Sequence, residues 1–189
     1  MSAPKSRRHE VARAAKLNEK VRLSQITLFE ISARHLARLE GLEPTFSFSM
    51  RPETVLYTEE KDETFAAFPL RVTIEHKGEQ GKVALGEIHV VVRVIYRREP
   101  TWQPEDADLF DDYLGIVGWM HAWPYLRAEV QSLSTKLTFP PLILPVLLAG
   151  QTADVGVQRV GDELAKEPSA VPKVVQKRRR TKAAKSSPA

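Results

Sequence analysis

The sequence predicts an α+β protein: a four-stranded antiparallel sheet covered on one face by a long, kinked C-terminal helix. Three observations predict it. Between Val21 and Arg97 apolar residues recur at every second position in several runs. Short polar loops, EEKDE at 59–63 and KGEQGK at 77–82, separate those runs as hairpins would. From Asp106 the spacing changes to threes and fours, with Leu109, Tyr113, Ile116, Met120, Trp123, Val130, Leu133 and Leu137 on one side of a helix.

Taken in order, residues 1–20 are basic, only weakly helical in pattern, and read as a frayed or disordered extension. In VRLSQITLFEISA, Leu23, Gln25, Thr27, Phe29 and Ile31 alternate with a second set holding Ile26 and Leu28, and the β-branched content favours a strand. ARHLARLEGLEP reads as a turn or one helical turn ending at Gly41. Phe46, Phe48 and Met50 face one way on the second strand, which Val55-Leu56-Tyr57 extends past Pro52. Ala66, Phe68, Leu70, Val72 and Ile74 line one face of the third, opposite Arg71, Thr73 and Glu75. The last strand sets Ala84, Gly86, Ile88, Val90, Val92, Val94 and Tyr96 against Glu87, His89, Arg93 and Arg97. One polar face means a sheet solvated on that side, with the helix covering the other.

Pro100 and Pro104 break the chain before the helix, which Asp106 or Asp108 can cap. Pro124 lies inside the pattern and predicts the kink. Leu114, Val117, Trp119 and Leu126 fall off the main stripe, so that side calls for another chain or a ligand. Pro140-Pro141 ends the helix. After Gly150 the pattern fades. The organisation is therefore a basic extension at 1–20, one domain at 21–150, a possible short helix at 151–166 and a basic disordered tail at 167–189.

The net charge of +4 conceals a partition. Residues 1–22 hold seven Lys/Arg against two Glu, and 163–189 hold eight against two, so the body between them is acidic at −7. That weakens a nucleic-acid reading of the whole chain. The KRRR run at 177–180 could meet nucleic acid, an anionic membrane surface or an acidic partner; without interleaved aromatics it does not suit base stacking and reads as a solubilising tail. The absence of cysteine excludes disulfides, thiolate nucleophiles and zinc–thiolate sites. No apolar run reaches the roughly 20 residues of a membrane helix, and no secretory h-region is present, so a cytoplasmic location is expected. There is no P-loop, GxSxG, GxGxxG or HExxH, and His9, His35, His76, His89 and His121 lack metal spacing. Asp106, Asp108, Asp111 and Asp112 suit the helix dipole better than a metal. No enzyme activity, metal or cofactor is expected.

Pro124-Tyr125-Leu126-Arg127-Ala128-Glu129, then Leu133, then Phe139-Pro140-Pro141-Leu142-Ile143-Leu144-Pro145-Val146, resembles the C-terminal signature of the SecB family of export chaperones. Leu70-Arg71-Val72-Thr73 and Val83-Ala84-Leu85-Gly86-Glu87 resemble that family's paired central strands, and the likeness spans about 21–150. It departs at Pro145-Val146-Leu147-Leu148-Ala149-Gly150, where the family's Asn-Phe-Asp and lid helix would begin, and in the longer basic tail. The resemblance implies a homotetramer, a dimer of dimers with the long helices between sheets. It implies an ATP-independent holdase that binds non-native polypeptides in apolar grooves and keeps them translocation-competent for Sec export. The clients would be unfolded preproteins passed to SecA or, as in divergent members, an antitoxin. Residues implied for the client groove are Phe46, Phe48, Met50, Tyr57, Trp119, Trp123, Tyr125, Leu142 and Leu144; the aromatics among them, with Phe65, read alternatively as sheet–helix core. Glu30, Leu85 and Glu87 fall at the SecA-docking positions, and Arg34 stands where that surface has a further acid. Arg127 and Glu129 read as structural. The alternative outside this family is a nucleic-acid or regulatory interaction protein using the basic ends.

Overall fold

The computed structural model describes residues 11–37, 46–78, 81–148, 151–152, 154–161 and 164 of the 189. Its strands are β1 (Val21–His35), β2 (Phe46–Pro52), β3 (Val55–Glu60), β4 (Glu63–Gly78), β5 (Gly81–Arg98) and β6 (Val157–Arg159). Residues 11–15 form α1. A long helical run comprises α2 (Ala107–Tyr113), a π turn (Leu114–Gly118) and α3 (Trp119–Lys136). The strands make one mixed sheet in the order β1-β5-β4-β3-β6, with β2 beside β4 in line with β3.

The expected four strands are thus six. The second is split because Pro52 cannot extend the ladder as a donor, and the chain bends before Val55. Glu53 N–H bonds the Pro69 carbonyl at 3.0 Å, while Val55 N–H turns outward to the Gly156 carbonyl at 2.8 Å. The sixth strand, β6, runs parallel to β3. It falls where the sequence allowed a short helix: Gly156 lowers helical preference there, and the edge of β3 supplies backbone partners.

The main core lies between the sheet and the helix. Phe68, Leu70, Val72 and Ile74 of β4, Ile88, Val90, Val92, Val94 and Tyr96 of β5, and Trp119, Trp123, Leu126 and Val130 of α3 are all buried in it. Each such side chain contributes up to about 1.5–3 kcal/mol of transfer free energy. Gly118 lets the helix approach closely, since a Cβ there would lie 2.5 Å from the Phe68 ring.

Three irregularities shift the expected faces. The π turn adds a residue to one turn, so α3 is rotated by about 100° relative to a continuous α-helix. Trp119 and Leu126, expected to face away, are therefore fully buried, while Met120 is exposed; Leu114, at the start of the π turn, is fully buried as well. Bulges in β1 at Leu23/Gln25 and Leu28/Glu30 put Leu23, Ile26, Leu28, Ile31 and Ala33 opposite core residues of β5, leaving Gln25 and Thr27 on the outer face. A bulge at Ile74/Glu75 brings Leu85 into the core in place of Ala84.

The outer face is not simply solvated. Phe65, Ala67, Val91, Ile95 and Leu164 form a second buried cluster there, flanked by Phe29, Leu56 and Val160. Residues 11–20, expected as an extension, join the fold: Ala14 and Leu17 are fully buried. Lys20 donates to both oxygens of Asp106 at 2.7 Å. Asp106 makes no side-chain cap on α2 and accepts from Gln103 N–H at 2.8 Å instead. The Lys20 ammonium and that amide hold its carboxyl below the usual range. Pro124 lies within α3, which continues to Lys136. Thr138, with φ of 62°, turns the chain off the helix before the prolines, and Phe139 N–H returns to the Ser134 carbonyl at 3.0 Å. The turn expected from Ala33 starts later, since β1 continues to His35; its part from 38 to 44, Gly41 included, lies outside the described residues, as do the tail from 167 and residues 1–10 of the N-terminal extension. No described helix is long and apolar enough to cross a membrane.

Candidate functional site

The helix-side face of the sheet is wider than the helix that covers it. Leu23, Leu28 and Ile31 share a face with the buried stripe of β5, yet are 39%, 41% and 41% exposed. On the opposite flank Phe48 and Met50 face the same side as buried Ile74 and Val72 of β4 and are each 37% exposed. Apolar surface therefore emerges from beneath α3 on both sides. The outer edges of β1 and β2 have no strand partner among the described residues, which leaves two rows of backbone donors and acceptors beside that surface.

Next to β1, a groove of about 1250 Å³ opens between α1, the turn at 99–101 and the helix. Val21 and Leu23 line one wall, and Tyr113, Val117, Met120 and His121 line the other. Behind that second wall, the buried Tyr96 hydroxyl and His121 Nδ1 are hydrogen-bonded at 3.1 Å. Burial pushes the Tyr96 pKa well above the ordinary phenol value and holds the His121 imidazole below 6.5.

The extended segment after α3 crosses back along the helix with no sheet of its own. Phe139 lies over Gly86 and packs edge-on to Phe46 at 5.8 Å. Leu142 N–H bonds Ser134 Oγ at 3.0 Å, and Trp123 Nε1 donates to the Pro145 carbonyl at 3.0 Å. Leu142 and Leu144 point into the core, while Ile143, Val146 and Leu148 project to solvent.

Of the nine residues assigned to a groove, only Phe48, Met50 and Tyr125 are exposed, with Phe46 and Tyr57 half-buried. Trp119, Trp123, Leu142 and Leu144 are buried between helix and sheet, and none of the nine lines the β1 groove. Tyr57 packs on Phe110 at 5.9 Å; burial and the neighbouring Asp111 push its pKa up to about 12. The β1 strip was missed because two bulges hide its phase. An excess of Leu and Ile on both sides of a single strand was the signal available.

The docking triad is not assembled as one acidic surface. Leu85 is in the core, and only Glu30 has a well-exposed carboxylate. Glu87 is held between Arg34, at 2.7 Å, and Arg71, which also binds Glu53 at 2.7 Å. The two guanidiniums keep the Glu87 carboxyl below its usual range.

No family model matches the chain, and no curated protein matches it. Among solved structures it is similar to a SecB-like chaperone of Mycobacterium tuberculosis, solved in complex with a ChAD peptide from the HigA1 antitoxin. That match has a TM-score of 0.56 at 18% identity and covers 72% of this chain and 97% of that one. A protein of unknown function from Streptococcus agalactiae matches at 8% identity over 67% of this chain and 98% of that one, with a TM-score of 0.29. The chain has the SecB-like fold.

Proposed function

We propose that this chain of SecB-like fold is an ATP-independent holdase that binds extended, non-native polypeptides on the apolar strips flanking α3. The observation that carries the reading is the sheet face running out from under the helix on both sides, at Leu23, Leu28 and Ile31 and at Phe48 and Met50. Such surface beside open strand edges offers what an unfolded client of arbitrary sequence can use: non-directional apolar contact and backbone hydrogen bonds. Phe46 and Tyr125 extend the proposed client surface; the buried Trp119, Trp123, Leu142 and Leu144 support it from beneath. The proposed assembly is a homotetramer in the cytoplasm.

The test is aggregation of a chemically unfolded client at several-fold chaperone excess without nucleotide. The chain suppresses it, and Phe48→Asp combined with Met50→Asp weakens suppression several-fold. A chain that leaves aggregation unchanged sinks the proposal. An antitoxin-dedicated client is favoured over preprotein hand-over by one observation: Glu87 is already neutralised by Arg34 and Arg71. Titration with SecA separates the branches. Binding that Glu30→Lys abolishes supports export, whereas no binding supports a dedicated client.

A further inference from the structure

β6 and Leu164 occupy a site that could serve an incoming peptide. Along the edge of β3, Val55 N–H donates to the Gly156 carbonyl at 2.8 Å, and Val160 N–H donates to the Tyr57 carbonyl at 2.7 Å. The three paired residues run parallel to β3. Farther on, Leu164 is 6% exposed in a socket made by Phe65, Ala67, Val91 and Ile95. At the socket's rim the buried guanidinium of Arg93 donates to the Leu164 carbonyl at 3.1 Å and lies over the rings of Phe29 and Phe65.

What is recognised here is largely generic: a strand backbone, one main-chain carbonyl and three apolar side chains, with Val157 packed on the main core and Val160 and Leu164 on the outer cluster. An ion pair of Arg159 with Glu59 at 2.9 Å and the close approach of Gly156 to Thr54 are the contacts particular to this segment among the described residues. The hold is also short, three paired residues against thirteen in β1. The edge continues into β2, which has no outer partner among the described residues, so an extended chain has an open stretch on which to start before it reaches the occupied one.

We propose that residues 156–161 together with Leu164 are a built-in pseudo-client, and that the β3 edge with its outer-face leucine socket is a second site for extended, leucine-bearing peptides, filled in cis until one displaces the segment. This rests on the holdase reading for its ligand class.

The experiment compares the full chain with chains ending at 164 and at 155, and with full-length Leu164→Asp, using as probe a fluorescent peptide of residues 154–166. The full chain and the chain ending at 164 bind the probe weakly. Ending at 155, or Leu164→Asp, raises its affinity at least five-fold. Equal affinity in all four overturns the proposal. Hydrogen exchange on the intact protein guards against a truncation that fails to fold. Saturating reduced, carboxymethylated α-lactalbumin removes protection at Val160 N–H if the client displaces the segment; unchanged protection with client bound overturns it. The two readings fail separately: if the full chain neither binds that client nor suppresses aggregation while the probe still binds the chain ending at 155, the holdase reading falls and the cis-filled peptide site stands.

Discussion

At the scale of single residues, burial rather than charge pairing sets the most consequential titration. His121 is held below its ordinary 6.5 by desolvation, so the unfolded chain takes up this proton at a higher pH than the folded one. The stabilising contribution is whole above about pH 6.5 and is lost as pH falls from there through the lower folded-state value. Denaturant midpoints should therefore drop between pH 7 and pH 5. His121→Gln, which can still hydrogen-bond Tyr96 without titrating, should flatten that slope; an unchanged slope would remove His121 as its source. Gly118 sets two effects against each other. Alanine gains roughly 0.5–1 kcal/mol of helix preference. It meets a Phe68 ring at 2.5 Å that is itself fully buried and cannot swing away, and overpacking of that kind costs about 1–3 kcal/mol. The clash wins, so Gly118→Ala should lower stability by about 1–2 kcal/mol in urea unfolding.

At the scale of elements, the segment 139–148 shows how a chain without ladder bonds is kept in place. It is fastened by side chains reaching from α3 and by Thr152, whose hydroxyl donates to the Gly115 carbonyl within the π turn at 2.7 Å. Ser134 joins both parts: it donates to the Gln131 carbonyl at 2.9 Å and accepts from Leu142 N–H. Ser134→Ala leaves that buried amide without its acceptor, which costs about 1–3 kcal/mol. Limited proteolysis should then cut 139–148 faster while circular dichroism stays that of the parent. Strand phases in β4 and most of β5 were legible in the sequence because alternation of β-branched and polar residues survives there without interruption. In β1 and the long helix they were not, because the bulges of β1 shift the phase by a residue with no glycine or proline beside them, and Gly115 and Gly118 in the π turn do not by themselves distinguish a π turn from an α turn.

At the scale of the whole molecule, the sheet and its long covering helix were legible, and the added cover was not. β6 and Leu164 sit in a stretch that reads as a possible short helix, and only the outer-face residues Phe65, Val91 and Ile95 hint that something must lie over them. The groove assignment suffered from the same limit: large aromatics such as Trp119 and Trp123 signal burial, but not whether sheet or client buries them. The β1 strip carries the prediction that belongs at this scale. Leu28→Asp with Ile31→Asp places charge on already exposed positions of the proposed client surface, so it should spare the fold and weaken suppression of client aggregation several-fold. Unchanged suppression with retained fold would separate client binding from this strip.

β6 also has a consequence in time. It is the last strand of the described chain to be made and pairs with β3, about a hundred residues earlier. At synthesis rates of about 5–20 residues per second, several seconds pass between the completion of β5 and that of residue 164. Throughout that interval each nascent copy presents the bare edge of β3 and an empty outer-face socket, so every molecule of this protein begins life without its own cover.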